Sequence, residues 1–254
     1  MDFRKVWEGG GFGFRASIAA IIVWIFSSAQ AAPIAVNDPL PISLANGLCS
    51  ISEAIHNAND DAATNPDCPA GSGADTIQLA PSAVYSIPTA DNNTLEPTGL
   101  PLITSQITIE GNNATLQRGG MLGTPLFRVL LVTETGNLTL NDLTVRNGRT
   151  GSPSNGGFFG IQVGSGIRNF GTLTLNRCTI RDNRGETYNG GGIASSGSLT
   201  ITAMISCAVT MAMTPWSEVT TATILRAGAG STLWSISNRS RMTSPSMSKI
   251  YSKI

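Results

Sequence analysis

The chain has 254 residues, including 28 glycines, and its 16 Lys and Arg residues balance 16 Asp and Glu residues. Charged residues make up 13% of the chain, about half the usual share in globular proteins, so Thr, Ser and Asn carry most of the polar surface. A neutral, weakly charged chain produces little long-range field, which argues against a nucleic-acid-binding protein.

The first 31 residues have the pattern of a secretory signal peptide. Basic residues flank an apolar run at residues 16–26, and a small-x-small AQA sequence ends at Ala31. The apolar run is shorter than the about 20 residues that a membrane-spanning helix needs, and an uncleaved anchor is the alternative. We expect cleavage between Ala31 and Ala32, export to the outer cell surface or medium, and no transmembrane helix afterwards.

Two cysteines, Cys49 and Cys68, flank a loop rich in Asn, Asp and Ala. In an oxidising compartment this spacing favours a disulfide. A zinc site is not predicted, because the chain has no C-x-x-C pair and a single histidine, His56. We expect His56 to be a solvated helix residue, Cys178 to be a buried thiol, and the protein to need no cofactor.

A short helix is predicted beside the first of these cysteines. It covers Ser52–Ala58, with Ser50 as N-cap and Glu53 three residues later, as in a capping box. Its apolar face, which includes Ile55, would cover the exposed end of a stack of strands. The first strand is then expected at Asp75–Leu79.

The same segment resembles a known bacterial module. The sequence CSISEA at Cys49–Ala54, followed by CPAGSGADTIQL at Cys68–Leu79, is similar to the CSLREA domain, which is typically found after the signal peptide of exported bacterial proteins. The chain differs from the motif at Ile51, where the family has Leu, and at Ser52, where it has Arg. The resemblance covers about residues 48–85. It implies an exported β-helix protein of the polymorphic outer-membrane-protein or adhesin type.

A short phrase recurs further along the chain. It is GNLTLNDLTVRNG at residues 136–148, GTLTLNRCTIRDN at 171–183 and GSLTIT at 197–202, with starts 35 and 26 residues apart. Periods in this range indicate a solenoid. Leucine or isoleucine alternates with threonine in each copy, which gives every strand one apolar face, and Gly and Asn supply the tight corners.

These repeats predict an all-β fold, a right-handed parallel β-helix (solenoid) with a short N-terminal helical cap. The alternative is an antiparallel sandwich, but that fold would require short hairpin loops. The predicted division is a signal peptide at 1–31, the cap and first strand at 32–85, and rungs, each one turn of the β-helix, at 86–202. We expect Asn147, Asn176 and Asn183 to hydrogen-bond along the stack.

Parallel β-helices also include polysaccharide-processing enzymes, which would need clustered carboxylates as calcium ligands or catalytic groups. The acidic residues of the repeats are few and fall at scattered corner positions: Glu134, Asp142, Asp182 and Glu186. The basic residues Arg177, Arg181 and Arg184 are expected to form a small stripe on a solvated face. Contact of this stripe with an anionic glycan is the alternative.

The composition changes abruptly at about residue 203. Residues 32–202 carry 13 acidic and 8 basic side chains, whereas residues 203–254 carry one acidic and five basic, together with five of the seven methionines. If this segment is read in a shifted frame, with codons that the genetic code permits for its residues, acidic residues and Asn-Gly corners return. The pattern therefore predicts a frameshifted, poorly ordered tail on a truncated β-helix, and a native C-terminal cap is the alternative.

Taken together, the sequence predicts a non-catalytic exported protein for adhesion or structural display. Its expected partners are cell-surface glycans or the surface of a host or neighbouring cell. The alternatives are a polysaccharide-acting enzyme of the pectin-lyase or glycoside-hydrolase kind and a truncated pseudogene product without function.

Overall fold

The computed structural model describes residues 32–95, 97–151, 164–185, 191–207, 211–213, 219–223 and 235–236, with side chains as far as Thr202. The described part is mostly β-structure with one helix. The predicted signal peptide, residues 1–31, lies outside the described residues, which begin at Ala32. The elements are α1 (Ile51–Asp60), β1 (Ile34–Ala35), β2 (Asp75–Gln78), β3 (Val84–Ile87), β4 (Gln106–Arg118), β5 (Leu130–Val132), β6 (Asn137–Arg146), β7 (Arg149–Thr150), β8 (Ile167–Asn169), β9 (Thr172–Arg181), β10 (Arg184–Gly185), β11 (Ile193–Ser195), β12 (Ser198–Cys207), β13 (Met211–Met213), β14 (Val219–Thr223) and β15 (Ser235–Ile236).

The strands form three sheets that are almost entirely parallel. The largest has the order β1-β2-β4-β6-β9-β12-β14-β15, and β3 also pairs with β4. The others have the orders β5-β8-β11-β13 and β7-β10. Among the described strand pairs, only β14 with β15 is antiparallel. The parallel pairing that the repeats predict is confirmed. The repeats do not pair as the antiparallel hairpins of a sandwich.

The repeated phrases stack in register. Leu138 of β6 pairs with Leu173 of β9, which in turn pairs with Leu199 of β12. Leu140 and Leu175 pair in the same way, two residues further along. All five leucines are buried. The alternating pattern therefore directs one face of each strand into a common core.

Helix α1 lies beside the first strands and has the predicted capping box. The Ser50 side chain accepts a hydrogen bond from the Glu53 backbone N–H, and the Glu53 carboxylate accepts one from the Ser50 N–H. The helix begins one residue before the predicted start and ends two residues after the predicted end, at a left-handed Asp61. Ile55 is fully buried. Asn59 donates to the Leu102 carbonyl, which fixes the last turn to the chain that precedes β4.

The position that opens each repeat has no room for a side chain, so it requires glycine. An alanine Cβ at Gly171 would lie 2.3 Å from the carbonyl oxygen of Gly136, the equivalent residue of the preceding repeat. At Gly197 it would lie 2.0 Å from the carbonyl oxygen of Gly171. These glycines have no left-handed φ. They are small because the backbones of successive repeats approach closely at this point.

The stacking becomes irregular at the point where the composition changes. β12 pairs regularly with β9 from Ser198 to Ile201. Between Ile201 and Ser206 the register shifts three times. The strand itself continues to Cys207, five residues beyond the predicted boundary at 202, and most of the predicted tail lies outside the described residues.

Candidate functional site

Four arginines surround two corners that lie one above the other. β6 ends at Arg146 and β7 begins at Arg149, while β9 ends at Arg181 and β10 begins at Arg184. Arg146 is in register with Arg181, and Arg149 with Arg184. Neighbouring strands are about 4.8 Å apart, so each pair stacks directly. We call these four residues the arginine array.

The corners within the array are tight and tied to each other. Asn147 and Asp182 occupy equivalent positions and both have left-handed φ, 61° and 57°. The Asn183 side chain accepts a hydrogen bond from the Gly148 N–H at 2.9 Å and donates one to the Val145 carbonyl at 3.1 Å. Hydrogen bonding of Asn183 along the stack is thus confirmed, and this side chain fixes the relative position of the two corners.

The charges of the array are only partly compensated. Arg146 donates from Nε to Gln117 Oε1 at 2.7 Å, a neutral partner. Arg181 pairs with its neighbour Asp182 at 2.5 Å. The other two arginines of the array are exposed and have no ion-pair partner among the described residues. The corner region therefore carries a local positive charge that the described residues neutralise only in part.

Arg177, predicted to belong to the same stripe, lies at a different corner. It falls at the bend inside β9 with left-handed φ, aligned with Asp142 at the bend inside β6. Its Nε and terminal nitrogen bind both carboxylate oxygens of Asp142 at 2.7 and 2.5 Å. This hydrogen bonding lowers the pKa of Asp142. The structure brings Arg181 and Arg184 together and leaves Arg177 neutralised elsewhere.

The carboxylates considered as catalytic groups are dispersed. Asp142 and Asp182 occupy different corners, as the sequence predicts, and Glu186 lies outside the described residues. Asn176 donates to the Asn141 side chain at 2.8 Å, and Asn141 donates to the Glu110 carboxylate at 2.7 Å, which confirms an amide ladder at the bend. Within the described ranges, no group of three His, Cys, Asp or Glu residues is arranged to hold a metal ion.

Three cysteines and the histidine lie outside the array, in a disulfide, in the core and beside an acidic residue. Cys49 and Cys68 are joined by a disulfide. Cys178 is buried, and burial raises the pKa of its thiol to about 11. His56 Nε2 lies 3.9 Å from a carboxylate oxygen of Asp91. This neighbouring acid raises the pKa of His56 against the opposing effect of partial burial.

Two other arginines, Arg118 and Arg128, are buried, and a third, Arg168, is partly buried. Arg118 donates to the carbonyl oxygens of Pro125 and Thr124, and its guanidinium lies 5.6 Å from the centre of the Phe127 ring. Arg128 donates to the Gly164 carbonyl at 3.1 Å, and burial lowers its pKa to about 9. The guanidinium of Arg168 lies 4.4 Å from the centre of the Phe170 ring. Burial, and after it the nearby charge of Arg149, lowers the pKa of Arg118, so Arg118 lies close to the array.

A threonine ladder runs along the outer face of the largest sheet. Its members pair in register on five successive strands and are each partly exposed: Thr76, Thr108, Thr139, Thr174 and Thr200. Cross-strand threonine pairs stabilise a sheet by about 0.2–1 kcal/mol each. The ladder is an uncharged face formed by the polar half of every repeat.

Sequence reasoning missed Arg146 and Arg149. The signal is an R-x-x-R pattern that occurs twice, at residues 146–149 and 181–184, on either side of the corner. Alignment of the two complete repeats through the corner places these residues opposite each other. Only the pairing of the short strands β7 and β10 shows that the second arginine of each pattern also stacks.

The chain was compared with protein-family models, with curated proteins and with solved structures, and none of the three comparisons found a match. Within the part of the chain that the structure describes, no helix is both long and apolar enough to cross a membrane.

Proposed function

We propose that this chain is an exported, non-catalytic surface protein, built as a right-handed parallel β-helix and used for adhesion or structural display. The observation that carries the proposal is the in-register stacking of the repeats. Because the strands are parallel and aligned, outward positions such as those of the threonine ladder become continuous rows of like side chains. Stacked repeats present extended surfaces of this kind to ligands.

Several features support this assignment of fold and module. Successive strands of the largest sheet come from successive repeats, and the chain leaves that sheet between them to form strands of the two smaller ones. Helix α1, held by the disulfide loop, packs at the start of the stack, where a CSLREA-like cap would lie. The buried Cys49–Cys68 bond suits an oxidising compartment.

A second candidate, a truncated gene product, is favoured by one observation. The register of β12 against β9 shifts at Ile201, next to the composition change at about residue 203. A frameshift after residue 202 would replace native residues that continue the stack. Resequencing the coding DNA across codons 195–215 tests this idea, since an indel, or an open alternative frame with Gly and Asn repeats, is expected.

Export and surface display are tested together by expressing the full chain in a Gram-negative host. N-terminal sequencing of the product is expected to begin at Ala32, and a protease added to intact cells is expected to remove it. An uncleaved chain that is protected inside the cell would contradict the proposal. Release of reducing sugar ends from polygalacturonate by the purified protein would favour the enzyme alternative instead.

A further inference from the structure

The arginine array concentrates positive charge on two stacked corners. The four arginines contribute four positive charges and Asp182 one negative charge, so these five residues together carry three net positive charges. Like charges directly opposite each other on neighbouring strands destabilise a sheet. A bound anion would relieve this repulsion.

The uncompensated positive charge is local to the array, as a comparison with Arg177 shows. Arg177 occupies a stacked corner in the same two repeats, and there the chain provides Asp142 as a bidentate partner. No equivalent carboxylate faces Arg149 or Arg184 within the described residues. Their guanidinium groups are exposed and keep their donor groups available.

The geometry points to a glycan bearing phosphate groups as the ligand of the array, an inference that rests on the proposed surface function. A guanidinium fork binds two oxygens of a carboxylate or phosphate. A phosphate monoester has three acceptor oxygens and up to about two negative charges. It can therefore accept from Arg149 and Arg184 together, whereas a single fork occupies both oxygens of a carboxylate.

A nucleic acid fits these features less well. The array spans only two repeats, about 4.8 Å between strands, and so reaches one or two phosphates. Strongly salt-dependent binding to DNA involves about 6–10 phosphate contacts, and this chain has no net charge to add long-range attraction. A glycan with separate phosphate groups needs only a local cluster of arginines.

The test uses a phosphomannan whose capping sugars have been removed by mild acid, so that it carries phosphate monoesters. Binding of the full chain to this phosphomannan is compared, by surface plasmon resonance, with binding to the same mannan after phosphatase treatment. We expect binding to phosphomannan that weakens as salt is raised, and no binding to the dephosphorylated polymer. Arg149→Gln or Arg184→Gln is expected to weaken binding about tenfold, and the double variant more, because charge-assisted hydrogen bonds are lost. Arg177→Gln, which removes the same charge outside the array, is the matched control and should bind like the parent.

Three outcomes overturn the inference. Equal binding to both mannans would remove phosphate as the recognised group, and an equal loss in Arg177→Gln would show a non-specific charge effect. Tighter binding to poly-dT, polygalacturonate or dextran sulfate than to phosphomannan would assign the array to another polyanion. Circular dichroism of every variant checks folding. If the protein is displayed on cells but does not bind, only this inference fails; if it is not exported, the proposed function fails whatever the array binds.

Discussion

Replacing Gly171 with alanine should strongly destabilise the stack. The new Cβ would lie 2.3 Å from the carbonyl oxygens of both Gly136 and Thr133, about 1 Å closer than a normal C···O contact. Backbone atoms cannot move aside as a flexible side chain can. The Thr172 N–H bond to the Gly136 carbonyl, and the Ser198 N–H bond to the Gly171 carbonyl, are 2.9 and 2.8 Å long and would be distorted.

The expected magnitude follows from these contacts. Overpacking typically costs about 1–3 kcal/mol, and each weakened hydrogen bond about 1 kcal/mol. Alanine also restricts the unfolded chain, which offsets about 0.4–1 kcal/mol. The net loss in the free energy of unfolding should therefore be about 2–4 kcal/mol.

Urea unfolding, followed by circular dichroism, measures this loss against a matched variant, Gly120→Ala. A Cβ at Gly120 has no atom within 4 Å and the residue has no left-handed φ, so its effect should stay within about 0.5 kcal/mol. If Gly171→Ala and Gly120→Ala unfold at the same urea concentration, the backbones of successive repeats do not approach closely at Gly171.

Three further predictions concern the cap and the buried thiol. Reducing the Cys49–Cys68 disulfide, which closes a 19-residue separation, should lower the free energy of unfolding by about 3 kcal/mol in a melt with and without reductant; an unchanged Tm would contradict this. In a Cys207→Ser variant, Cys178 should resist iodoacetamide at mildly alkaline pH, because burial raises its pKa to about 11 and the thiolate is the reactive form. Rapid labelling of Cys178 in the native protein would refute its burial. The raised pKa of His56 beside Asp91 gives stability that is full below its unfolded-state value of about 6.5 and is lost as pH rises through the folded value. In thermal melts across this pH range, the Tm of His56→Gln should fall less with rising pH than the Tm of the parent protein. An identical fall in both would rule out the His56–Asp91 contact.

The repetitive features of the fold could be predicted from the sequence because they depend on local pattern. Alternation of leucine and threonine identifies the inward and outward faces, and the capping box at Ser50 identifies the start of α1. β1 was not predicted, because a two-residue strand at Ile34–Ala35 has no measurable period. It exists through its pairing with β2, 43 residues later at Ile34↔Ile77.

The binding surface was harder to predict because it depends on how separate corners align. The prediction grouped Arg177 with Arg181 and Arg184 by their proximity in sequence. The bend at Arg177 turns the chain between them, and register with Asp142 then determines its partner. Arg146 and Arg149 join the array from a repeat 35 residues earlier, a relation that only strand pairing reveals.

The in-register parallel stack is tested most directly by measuring the distance between spin labels at Thr76→Cys and Thr200→Cys, with Cys178 and Cys207 replaced by serine. These positions are joined by four successive strand pairings through Thr108, Thr139 and Thr174. At about 4.8 Å per pairing, the account predicts a narrow distribution of backbone separations near 19 Å, widened only by the label linkers. A broad distribution, or a separation well above 30 Å, would contradict the stacking on which the fold and the arginine array depend.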